Sequence, residues 1–192
     1  MDAQLLSSEV ASTASWGSLL LALSALAGRV LLSATFLHAG VQKIRHHGLL
    51  VGVISNYRVI PQALAPLASW LLPPLELLLA LALLIPSSWS ALTAAGLLLL
   101  FTTAIIINLL RGRSFIDCGC FQSGLRQELG WELVWRNGVL VAIAVYSACF
   151  PVRPPWVIII VASLFGLVSY ALYQALNALG ANRSALRSLA AR

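Results

Sequence analysis

The sequence predicts an all-α fold, a polytopic membrane helix bundle of about five transmembrane helices, with its N-terminus outside and its C-terminus cytoplasmic. Three observations carry that expectation. Of 192 residues, 60% are hydrophobic and 9% charged, which leaves too few polar side chains to cover a soluble globule. Apolar runs of bilayer-crossing length take up most of the chain, and mean hydropathy is +0.91. Ten of the twelve Lys and Arg residues fall outside those runs, nearly all on one side. The net charge of +6 is thus dispersed as topology determinants rather than massed on one element, so no nucleic-acid partner is expected. The lipid bilayer is the expected surrounding, and no room remains for a separate catalytic domain.

Residues 1–15 form a polar N-terminal segment without Lys or Arg, unlike the basic start of a signal peptide. Spans are expected at about 16–42, 66–85, 89–110, 133–150 and 155–177, together one transmembrane domain over 16–177. The second span holds Pro73 and Pro74, which predict a kinked or broken helix with a fresh start near Leu75. The fourth is short and carries Arg136 in its first turns, from where an arginine can snorkel to the headgroups. Residues 178–192 form a basic C-terminal tail. Lys43, Arg45, Arg58, Arg111, Arg113, Arg126, Arg183, Arg187 and Arg192 fall on one side of the membrane, and Arg153 alone on the other. Cations of short loops are retained in the cytoplasm, which sets the orientation.

Two ionisable residues lie where a bilayer makes them expensive, Arg29 in the first span and Glu76 in the second. A charge at the bilayer centre costs roughly 2.5 to 3.5 kcal/mol on insertion scales, so an intramembrane ion pair between them is expected. A structural clamp is the first reading of such a pair, a proton or ligand relay the second. Phe36 and Lys43 follow Arg29 at seven-residue intervals, which places Lys43 on the same inward face.

Reactive chemistry concentrates in the segment after the third span, Asp117-Cys118-Gly119-Cys120-Phe121. A disulfide between two cysteines separated by one glycine closes a very small ring, and strain of that kind makes a disulfide easier to reduce. Cys118 and Cys120 are therefore candidates for thiol exchange, with Arg111, Arg113 and Arg126 favouring the thiolate and Asp117 a candidate proton acceptor. Inert packing of both cysteines is the plain alternative. Zinc would need His46 and His47 to complete its shell, but paired zinc cysteines ordinarily have two or more residues between them and adjacent histidines chelate poorly. No metal and no cofactor are expected. Cys149 is taken as a buried apolar residue, about 25 to 30 Å from the pair across a helix.

The Arg29, Gly40, Lys43, Glu76 framework and the Asp117-Cys-Gly-Cys-Phe121 element together resemble the methylamine-utilisation MauE family, within the broader group of DoxX-like membrane proteins. The resemblance covers about residues 25–150. Its framework is shared by many DoxX-like proteins, whereas the cysteine element is specific to the MauE type. In that type a glycine commonly follows the phenylalanine; here Gln122 and Ser123 precede Gly124. The resemblance implies a multi-pass protein of the bacterial inner membrane. It also implies a role in maturing, by disulfide formation or isomerisation, the disulfide-rich small (beta) subunit of a periplasmic methylamine or amine dehydrogenase. A thioredoxin-like maturation protein is the implied partner. A noncatalytic assembly scaffold and a quinone-linked DoxX-like oxidoreductase subunit are the rival readings. Charge counting places Cys118 and Cys120 on the cytoplasmic side, opposite a client that folds outside.

Overall fold

A computed structural model describes residues 2–113, 129–150 and 156–190, with side chains described over 16–113, 129–150 and 156–179. Among the described residues there are six α-helices and no strand: α1 (Asp2–Arg45), α2 (His47–Tyr57), α3 (Ala65–Leu83), α4 (Ser88–Leu110), α5 (Trp131–Cys149) and α6 (Trp156–Ala190). Five segments are long and apolar enough to cross a membrane, namely Trp16–Arg45, Gln62–Leu83, Ser88–Leu110, Trp131–Cys149 and Trp156–Leu179. The expected all-helical membrane fold is the one observed.

The core lies where α1, α3, α4 and α5 meet. Leu31, Leu32 and Phe36 of α1 pack with Leu79, Ala80 and Leu83 of α3, Ala91, Ala94, Ala95 and Leu98 of α4, and Leu140, Ala144 and Ala148 of α5. Lipid tails are as apolar as leucine, so membrane helices gain little by hiding apolar surface and associate mainly through close contact. The alanines of α4 and α5 supply that contact because their small side chains let the two backbones approach. Many other large apolar residues point outward, among them Leu78, Leu81 and Leu100. α6 packs on α1 at Gly166, where an added Cβ would stand 2.8 Å from the Ala27 carbonyl oxygen and 2.6 Å from the Val30 side chain.

Three elements differ from the sequence reading. The first loop contains a helix of its own, α2, which presents Leu50, Val53, Ile54 and Tyr57 to the interior at the i, i+3, i+4, i+7 spacing of one helical face. The Pro73-Pro74 step does not break α3, which runs from Ala65 to Leu83 with both prolines inside it. The missing N–H groups leave the carbonyls of Ser69 and Trp70 without their helical donors, but neighbouring helices can hold a TM helix through such a gap. Glu76 therefore sits in the body of a continuous helix, and no new helix N-terminus forms beside it. Finally, α6 continues helical past 177 to Ala190.

Candidate functional site

Hydrogen bonds between helices fix the antiparallel register of α1 and α3. Ser33 donates from Oγ to the Ala80 carbonyl at 2.7 Å, and Arg29 Nη1 donates to the carbonyls of Ile85 at 3.4 Å and Ser87 at 3.0 Å. A Cβ at Gly40 would meet Leu77 at 2.9 Å and the Pro73 carbonyl at 3.2 Å. Each step along α1 toward its C-terminus is thus a step toward the N-terminus of α3.

That register corrects the expected Arg29–Glu76 pair. Arg29 lies opposite the α3–α4 turn, and Glu76 is nine residues further down α3, about 13 Å away along the axis. Arg29 is 2% exposed, and its two terminal nitrogens donate to backbone oxygens instead, while Nε has no hydrogen-bond partner among the described residues. Besides the two in the turn, Nη2 donates to the Ser147 carbonyl at 2.7 Å, and Nη1 reaches Ser90 Oγ at 3.4 Å. It ties the end of α5 to the turn between α3 and α4.

The partner of Glu76 is Lys43, whose Nζ donates to Oε1 in an ion pair. Helical side chains lean toward the N-terminus of their own helix. In an antiparallel pair Lys43 therefore leans back toward Gly40, and Glu76 toward Pro73, so the two converge at one level. Gly40, lacking a side chain, lets α3 approach there. The Lys43 ammonium also stands 5.0 Å from the centroid of Phe101, over its ring. Glu76 is fully buried, and its Oε2 has no hydrogen-bond partner among the described residues.

Beside the pair is a cavity of about 290 Å³. Its walls come from α1 (Phe36, Ala39, Lys43), α2 (Leu50, Val53, Tyr57), α3 (Leu72, Glu76), α4 (Phe101, Ala104), α5 (Arg136, Asn137) and α6 (Tyr173). Arg136 places its guanidinium 5.9 Å from the Tyr173 centroid and donates to Asn177 Oδ1 at 3.4 Å. Asn137 is buried at the same wall. The sequence reading did not single out α2, Phe101, Asn137 or the Lys43–Glu76 contact, though the apolar spacing in α2 carried the information for that helix.

Asp117, Cys118 and Cys120 lie outside the described residues. The ends that flank them are described. At one, Gly112 takes a left-handed φ of 70° after α4, and its N–H and that of Arg113 turn back onto the carbonyls of Leu109 and Asn108. At the other, Leu129 is buried with Ile105 and Leu133, against Tyr57 of α2. Both ends stand at the α2 end of the bundle, where Arg111 donates to the Arg58 carbonyl at 3.2 Å. His47, once weighed as a zinc ligand, bonds Ser69 at 3.3 Å and lies 4.5 Å from the Trp70 ring. Cys149 is a free thiol and is exposed on the bundle surface, not buried as expected, because its position ends α5 on the outward face.

These features define a multi-pass α-helical membrane protein with a buried ammonium–carboxylate pair bordering an apolar cavity. The chain belongs to the methylamine utilisation protein MauE family, whose model matches residues 19–150. It is 42% identical over 122 residues to the methylamine utilization protein MauE of Paracoccus denitrificans, covering 62% of this chain and 66% of that protein. It is 41% identical over 120 residues to the protein of that name from Methylorubrum extorquens, covering 60% and 64%. The chain thus spans just under two thirds of the length of these curated relatives. No solved structure matches it.

Proposed function

We propose that this protein is a factor of the bacterial inner membrane, acting in methylamine utilisation, that matures the disulfide-rich small subunit of a periplasmic amine dehydrogenase together with a thioredoxin-like partner. The observation that carries the reading is the Cys118-Gly119-Cys120 pair within a chain of this family. The chemistry is thiol–disulfide exchange. In the oxidising direction a client thiolate attacks one sulfur of the Cys118–Cys120 disulfide and forms a mixed disulfide. A second client thiolate then displaces it, leaving the client bridged and the pair as a dithiol that has taken two electrons. In isomerisation a Cys118 or Cys120 thiolate opens a wrong bridge and is released when the right one closes, with no net electron transfer. Six client cysteines already allow fifteen pairings, so such an exchanger has a definite task.

Replacing Cys118 or Cys120 with serine is expected to leave the large dehydrogenase subunit present while the small subunit is lost. A chain that cannot complete its bridges forfeits roughly 2 to 5 kcal/mol per disulfide and stays open to proteases. Immunoblots of both subunits and amine-dependent growth check this. Normal levels of correctly bridged small subunit in both variants would replace the redox reading with that of an assembly scaffold.

A further inference from the structure

We propose that the cavity beside Lys43 and Glu76 is a binding site for a neutral, bilayer-dissolved amphiphile with a hydroxyl head and a ring-sized apolar body, of the alkylphenol class. Four features carry this, and none depends on the cysteines. Glu76 is wholly buried and borders the cavity, and while Lys43 holds Oε1, Oε2 has no donor. A buried carboxylate oxygen left unpaired is costly, so an occupant that donates a hydrogen bond is favoured there. Charged heads are disfavoured from both sides. The Lys43–Glu76 pair is neutral as a unit, so a charged head of either sign would find no spare counter-charge in it and would lose its own hydration in an apolar cavity.

The shape agrees with the charge. A volume of about 290 Å³ lies near the lower bound, about 300 Å³, of ordinary small-molecule sites, enough for one ring-sized group rather than a whole lipid. Aromatic side chains contribute to its walls, with Tyr57 from α2, Phe101 from α4 and Tyr173 from α6, and such walls favour a flat ring. The approach is lateral. Leu100 and Val59 line the cavity and are 61% and 44% exposed, which gives an apolar body a way in between the helices.

The test uses the full chain in nanodiscs, with 4-decylphenol and its methyl ether, 4-decylanisole, as probes. The two share tail and ring and differ in the donor. The phenol is expected to raise the unfolding temperature at a concentration at least tenfold below that needed by the ether, the loss of one hydrogen bond to a buried charge. Ala104→Phe, which fills the cavity without touching the ion pair, is expected to abolish the preference; Ala39→Phe serves if that variant does not fold. Equal stabilisation by phenol and ether, no stabilisation by either, or an unchanged preference in the filled variant overturns the proposal. A chain carrying Cys118→Ser and Cys120→Ser should keep the preference, so failure of the thiol reading leaves this one standing.

Discussion

A half-buried lysine and a fully buried glutamate form a contact whose parts are worth less apart than together. Removing one member strands the other charge, at about 3 to 5 kcal/mol, whereas replacing both with neutral side chains of similar volume is often nearly neutral. Lys43→Met alone should therefore lower the unfolding temperature of the purified protein sharply, because Glu76 is fully buried and keeps no other donor among the described residues. Lys43→Met with Glu76→Gln should recover most of the loss. Additive effects in a double-mutant cycle would show that the two residues are not coupled. The sequence announced that Arg29 and Glu76 were buried, since charges in apolar runs have few other places to go, and set Lys43 on the inward face just past the first span. Which cation Glu76 takes depended on the register of two helices, a property that neither helix carries alone.

At the scale of elements, the small residues decide which helices meet. Gly166 is the place where α6 touches α1, with the Ala27 carbonyl and Val30 already at the distance of an absent Cβ. Gly166→Leu should drive the helices apart and cost about 1 to 3 kcal/mol, the usual range for overpacking, and limited proteolysis should then cut α6 sooner than in the parent protein. An unchanged digestion pattern would mean that α6 holds its place by other contacts. The five spans were legible from length and hydropathy alone. α2 was equally legible, because 50, 53, 54 and 57 mark one face, but it is too short for a span and was passed over as loop. Of the kink or break that Pro73 and Pro74 forecast, the break does not occur, and α3 runs on through both prolines.

For the whole molecule, the six tryptophans offer a check on placement in the bilayer. Trp16, Trp70, Trp89, Trp131, Trp135 and Trp156 are all exposed, by 61% to 81%, and all but Trp70 stand within the first five residues of a span, as interfacial aromatic belts do. Belts fix depth but not direction. Direction rests on the nine cations at one end, and a phosphatase fusion after Arg192 should be inactive while a cytoplasmic reporter there is active; the reverse pattern would turn the molecule over. The chemistry of the cysteine segment was visible only as residue types, because what Cys118 and Cys120 face is set by a part of the chain outside the described residues. Arg29 has a consequence for how the protein is made. Its acceptors at Ile85, Ser87 and Ser147 do not exist when α1 enters the membrane, and the last of them is 118 residues behind on the ribosome. At about 5 to 20 residues per second that is a wait of roughly 6 to 24 s, during which the guanidinium needs shelter from lipid. The first helix is therefore locked only once α5 has been made, so an early segment of the chain waits on a late one.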